Sequence, residues 1–165
     1  MAQTKLGENI VNTSGDLPAI GSMAPAFVLT GKDLKTVKSE SFAGKNIVLN
    51  IFPSVDTSTC ATSVREFNKR ISAFPNSVVL CISKDLPFAM RRFCGAEGIE
   101  NAITLSDFRN LGFGKSYGVD LMDGGFIGLF ARAVVVIDSS GKVKHTQLVP
   151  QIGEEPDYDS ALKTL

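Results

Sequence analysis

Asn46-Ile47-Val48-Leu49-Asn50-Ile51-Phe52-Pro53-Ser54-Val55-Asp56-Thr57-Ser58-Thr59-Cys60 joins an apolar, β-branched run to the start of a helical pattern. The run up to Phe52 is apolar on both faces, as a strand in the interior of a sheet has to be. Pro53 ends it, because proline has no N–H to give to a ladder. From position 58 onward Val64, Phe67, Ile71 and Phe74 recur at steps of three and four, the period of an amphipathic helix, until Pro75-Asn76 stops it. Cys60 thus falls in or beside the first turn, where unpaired backbone N–H groups and the positive end of the helix dipole favour a thiolate over a thiol. Thr57, three residues earlier, is placed to turn its hydroxyl toward the same sulfur and to cap the helix.

Outward from this unit, residues 77–83 read as a second buried strand, and a crossover of this length predicts parallel pairing with the first. Pro87 opens a second helix through Phe88, Arg91, Phe93 and Cys94, with a stop at Gly95 or Gly98. Residues 102–105 read as a short strand and 108–117 as a glycine-weakened helix. Residues 133–137 and 143–149 form a hairpin around Asp138-Ser139-Ser140-Gly141, and 158–165 a last helix behind Asp157. Toward the N-terminus, residues 5–11 suggest a hairpin turning at Gly7-Glu8-Asn9, residues 27–30 a strand, and 41–45 a turn. This order predicts an α/β fold with a central mixed sheet and an extra N-terminal β-hairpin. Pattern alone leaves a flavodoxin-like sheet open, and the terminal antiparallel hairpin favours a thioredoxin-like three-layer sandwich. No repeat, low-complexity tract or linker divides the chain, so residues 1–165 read as a single domain.

Lys plus Arg and Asp plus Glu each number 17, so no basic field exists to hold nucleic acid or an anionic membrane. The N-terminus lacks the apolar core of a signal peptide, and no later run is apolar for long enough to span a bilayer, which predicts a soluble, cytoplasmic protein. In that compartment three cysteines point to redox or catalytic use of at least one rather than to a disulfide framework. The cysteines and the only histidine, His145, have no paired-ligand spacing, and there is no glycine-rich phosphate loop, so neither metal nor cofactor is expected.

The spacing Pro53-x-x-x-Thr57-x-x-Cys60 resembles the active-site motif of the peroxiredoxins. With Asp56-Thr57-Ser58-Thr59-Cys60-Ala61-Thr62-Ser63-Val64-Arg65, Asp85-Leu86-Pro87-Phe88-Ala89 leading to Arg92-Phe93-Cys94-Gly95-Ala96-Glu97-Gly98, and Ala131-Arg132-Ala133-Val134-Val135-Val136-Ile137-Asp138, nearly the whole chain resembles the bacterial thiol peroxidases, the atypical two-cysteine peroxiredoxins. The resemblance implies a thioredoxin-like fold, peroxidase activity on hydrogen peroxide and organic hydroperoxides, thioredoxin as reductant and a homodimer. On this reading Cys60 attacks the hydroperoxide and becomes a sulfenic acid. Arg132, just before a strand, then holds the sulfur and stabilises the leaving oxygen. Pro53 shields the sulfur, and Cys94 closes a Cys60–Cys94 disulfide.

Each assignment has a plain alternative. Cys60 could be a buried structural cysteine, Arg132 a solvated surface arginine, and Thr57 only a cap. Cys81 lies inside an apolar strand and reads as core, and His145 reads as a surface strand residue. The run Gly124-Gly125-Phe126-Ile127-Gly128-Leu129-Phe130, directly before Arg132, suggests an apolar wall of a peroxide pocket, with core packing as the alternative. Two other activities fit the same fold. A general thiol-disulfide oxidoreductase is disfavoured, because Thr57 stands where a C-x-x-C pair needs its first cysteine; a redox sensor relaying oxidation through Cys60 stays open.

Overall fold

The computed structural model describes residues 1–165. A two-stranded hairpin, β1 (Gln3–Leu6) and β2 (Asn9–Asn12), precedes a seven-stranded sheet. Gly7 opens its two-residue turn at φ +62°, a conformation that an L side chain rarely adopts. The sheet contains β3 (Val28–Gly31), β4 (Thr36–Lys38), β5 (Asn46–Ile51), β6 (Ser77–Ser83), β7 (Ala102–Ser106), β8 (Ala133–Ile137) and β9 (Val143–Leu148). Its spatial order is β4-β3-β7-β6-β5-β8-β9. The β5–β6 and β6–β7 pairs are parallel and the others antiparallel, so the sheet is mixed as expected.

The strands alternate cleanly between two cores, as the two-residue period of a strand requires. Val48 of β5, Val79 and Cys81 of β6, and Val134 and Val136 of β8 face α1 (Ser58–Ile71), α2 (Pro87–Glu97) and α4 (Tyr158–Leu162). Ile47, Leu49, Ile51, Leu80, Ile82, Val135 and Ile137 face the other way, onto Phe27, Phe42 and α3 (Phe113–Tyr117). Helices on both faces of a mixed sheet make the three-layer sandwich. No helix is long and apolar enough to cross a membrane.

Several elements differ from the sequence reading. Helix α1 ends at Ile71 rather than Phe74. Pro75 bars α geometry at the residue before it, and the chain closes instead with tighter bonds from Ala73 N–H to the Arg70 carbonyl and Phe74 N–H to the Ile71 carbonyl. The helix expected over 108–117 is reduced to α3, because Asn110 (φ +54°) and Gly112 (φ +99°) both take left-handed backbone and interrupt it. The last helix stops at Leu162. Strand β4 has no counterpart in the sequence reading, since its Thr36-Val37-Lys38 sequence has one apolar residue and gains its place only by pairing with β3 at the sheet edge.

Asp107, just past β7, is nearly fully buried, and neither carboxylate oxygen makes a hydrogen bond of normal geometry. Burial pushes its pKa up, only partly offset by the Leu111 backbone N–H and by Lys84, which is itself paired with Asp120 at 3.0 Å. A carboxyl raised in the folded state costs nothing below its ordinary range, and costs stability as pH rises through the raised value. Asp107→Asn is therefore expected to stabilise the protein at pH 7 by about 1–3 kcal/mol, with the gain vanishing near pH 3. Thermal melts at the two pH values check this. A gain of equal size at both would remove the electrostatic explanation.

Candidate active site

Cys60 is the third residue of α1, its side chain turned down onto the apolar face that Val64, Phe67 and Ile71 continue. It has no exposed surface. No side chain caps the helix, and the N–H groups of Ser58, Thr59 and Cys60 make no hydrogen bond within the protein. The sulfur is nonetheless not packed among hydrocarbon alone. Arg132, 2% exposed, reaches it from the residue before β8, and its Nη2 donates to Cys60 Sγ at 3.2 Å.

A buried guanidinium needs its donors answered. Nε of Arg132 donates to the Ile152 carbonyl at 2.7 Å, which fixes the plane of the group, while Nη1 has no partner in the protein. The neighbouring Gly153 carbonyl accepts from Thr59 Oγ1 at 2.9 Å, so one short segment after β9 orients both the arginine and the start of α1. The arrangement sets a sulfur beside a fixed cation with one unspent donor and free helix-start N–H groups. An oxyanion expelled from the atom that such a sulfur attacks would meet donors already in place. Pro53 is buried in the loop between β5 and α1.

Thr57 departs from expectation. Its hydroxyl donates to the Ser54 carbonyl at 3.0 Å and bonds neither to Cys60 Sγ nor to a helix N–H, so the expected sulfur contact and cap are both absent here. Thr57 N–H also donates to the Ser54 carbonyl, and this tight turn draws the hydroxyl back along the loop. The Gly124–Phe130 run divides between core packing, the alternative reading, and solvent. Phe130 packs in the core on the sheet face away from Cys60, Phe126 packs against Val11, Leu121, Ala131 and Ile152, and Ile127 is exposed. His145 is half-buried rather than on the surface, and burial holds its pKa below the ordinary histidine value.

Cys94, in α2, is buried in the same apolar layer as Cys60, with its sulfur 3.7 Å from Thr104 Oγ1 on β7. All three cysteines are free thiols. Cys81 lies at the middle of β6, and burial pushes its pKa up to about 12, which keeps it an unreactive thiol at neutral pH. Sequence reasoning passed over Asn50, a polar residue in an otherwise apolar strand. Its Nδ2 donates to Ser63 Oγ at 3.2 Å, and Ser63 Oγ in turn donates to the Cys60 carbonyl at 2.8 Å, bracing the first turn of α1 from below. The signal was present as one amide in the Ile47–Phe52 run.

A thioredoxin-like sheet carrying a thiol at a helix start under a buried guanidinium defines a cysteine-based oxidoreductase. The redoxin family profile matches residues 19–162. The chain is 57% identical over its full length to a thiol peroxidase of Mycobacterium tuberculosis and 52% identical to one of Corynebacterium glutamicum, covering 99% of each. Its structure superposes on a peroxiredoxin-like protein from Aquifex aeolicus at a TM-score of 0.93 with 38% identity, covering 99% of this chain and 96% of that one. The chain belongs to the bacterial thiol peroxidase family of peroxiredoxins, and its activity is that of a thiol-dependent peroxidase.

Proposed function

We propose that Cys60 is the peroxidatic residue and Cys94 the resolving one. The Cys60 thiolate attacks the terminal oxygen of a hydroperoxide ROOH; the O–O bond breaks, Cys60 becomes a sulfenic acid, and the leaving RO⁻ takes up a proton to depart as ROH. Arg132 supplies Nη2 to the sulfur and its unspent Nη1 to the oxygen on which charge develops. Pro53 and the burial of the site exclude bulk water from that step. Thr57 shapes the loop through Ser54 and reaches the sulfur only if its hydroxyl turns when peroxide binds. The Cys94 thiol then condenses with the sulfenic acid, releasing water and forming an intrachain disulfide, and thioredoxin reduces the bridge by dithiol exchange.

The observation that carries this reading is the 3.2 Å contact between Arg132 Nη2 and Cys60 Sγ with both residues buried. A cation does not remain in such a position without a partner that repays its desolvation. The working form is a cytoplasmic homodimer on this reading. Leu86, Phe88, Phe108 and Leu111, exposed beyond the carboxyl ends of β6 and β7, offer an apolar surface for the second copy.

Thiol titration before and after one equivalent of peroxide tests the cysteine roles. Wild type is expected to lose two thiols, Cys94→Ser to lose one, and Cys60→Ser to lose none. Loss of two thiols from Cys94→Ser would transfer resolution to Cys81 and overturn the assignment.

A further inference from the structure

Arg132, which holds the Cys60 sulfur, immediately precedes β8, whereas Thr104, beside the Cys94 sulfur, lies on β7. Strands β7 and β8 are separated by β6 and β5, three strand spacings or about 14 Å. A disulfide needs Cα atoms within about 7 Å and a bond between the two sulfurs, so the Cys60 sulfur has to leave Arg132 and the Cys94 sulfur has to leave Thr104, and the segments that carry them have to shift. Whatever ties the loop before α1 to the loop before α2 therefore opposes resolution and preserves the arrangement that attacks peroxide.

One side chain makes that tie. Asp85 lies between β6 and α2, two residues before Pro87, where a carboxylate would ordinarily be expected to serve its own helix. It does not cap α2. Its Oδ1 accepts from Ser54 Oγ at 2.7 Å and its Oδ2 from the Val55 N–H at 2.8 Å, both in the loop before Cys60, while Ser83 Oγ donates to Oδ2 at 2.6 Å. Hydrogen bonds to a carboxylate are the strong ones. The other ties between these segments, Asp56 with Arg92 and Arg65 with Glu97, are exposed ion pairs of small individual worth.

We propose that Asp85 is a positioning residue that latches the Cys60 loop to the start of the Cys94 helix, and that it sets how the enzyme divides its time between the peroxide-reactive and disulfide-forming arrangements. The inference rests on Cys94 being the resolving thiol. Unwinding of either helix start separates Asp85 from Ser54 and Val55, so the latch must open before Cys60–SOH and Cys94–SH can form the disulfide and water. Loosening the latch speeds that condensation and slows the attack on peroxide. It also shortens the life of the sulfenic acid, which a second peroxide would otherwise take to sulfinic acid.

Rapid-mixing kinetics on Asp85→Ala, Asp85→Asn and Ser54→Ala separate the two steps. Asp85→Ala is expected to form the disulfide roughly tenfold faster after oxidation, to react with peroxide several-fold more slowly, and to yield less sulfinic acid at a given peroxide dose. Asp85→Asn keeps an acceptor for Val55 and Ser83 and can donate to Ser54, so it should return toward wild type. Ser54→Ala removes one strand of the latch, should shift both rates in the same directions by about threefold, and decides the matter alone if Asp85→Ala does not fold. Both rates falling together, or neither moving, overturns the latch. If wild type itself forms no Cys60–Cys94 bridge by thiol count, it is the resolving role that fails instead.

Discussion

Arg132→Lys is expected to lower kcat/KM for hydroperoxide by about two to three orders of magnitude, the range seen when one preorganised donor to a developing oxyanion is lost. Lysine keeps the charge but not the geometry. The guanidinium is held in plane by the bond from Nε to the Ile152 carbonyl, and that bond is what aims Nη2 at the sulfur and leaves Nη1 free. An ammonium is a single point charge that must choose between the carbonyl and the sulfur, and it offers no rigid fork to a third group. The chain has no tryptophan, so the rate is best followed by competition for peroxide against a reporter peroxidase. Circular dichroism separates loss of chemistry from loss of fold. A lysine variant within threefold of wild type would show that charge alone is sufficient and that the fixed plane of Arg132 is incidental.

What could be read from the chain follows from which interactions are local. The parallel β5–β6 unit, α1, α2 and the β8–β9 hairpin are written in apolar periods and in Pro53, Pro87 and Gly98, whose backbone preferences act over a few residues. Cys60 was legible for the same reason, since a helix start creates its own field. Strand β4 was not, because its position at the sheet edge is decided by β3 and not by its own three residues. The burial of Arg132 also lay beyond local pattern: it depends on Ile152, twenty positions on, whose apolar side chain gives no hint that its carbonyl is an acceptor in the site. Asn50, Ser63 and Asp85 were visible as polar residues in or beside apolar runs, yet their partners are 13 and about 30 residues away. Thr57 shows the opposite error. The spacing put its hydroxyl near the sulfur, but a turn closed by Ser54 sent it elsewhere.

Phe67→Ala should cost about 3–5 kcal/mol of folding stability, the usual loss for a fully buried aromatic, and lower Tm by roughly 10 °C or more in a chain of this size. Phe67 has no exposed surface, and its ring meets Tyr158 of α4 edge-on with centroids 5.0 Å apart; Tyr158 is in turn covered by the Arg70 guanidinium at 4.9 Å. Alanine therefore removes the filling between α1 and the sheet together with the contact that docks α4 on α1. The same face carries Val64 and Cys60, one and two turns nearer the helix start respectively, so the loss bears on function as well as on stability. With α1 free to settle toward the void, the sulfur shifts against an arginine fixed from the other side by Ile152, and peroxide reactivity should fall even at temperatures where the protein remains folded. Phe67→Leu, which refills most of the volume, should recover the greater part of both. Differential scanning calorimetry and peroxide kinetics on the two variants at 15 °C check the pair. An alanine variant that melts early but reacts at the wild-type rate would show that Arg132 and the Ile152–Gly153 segment seat the sulfur without help from the packing beneath it.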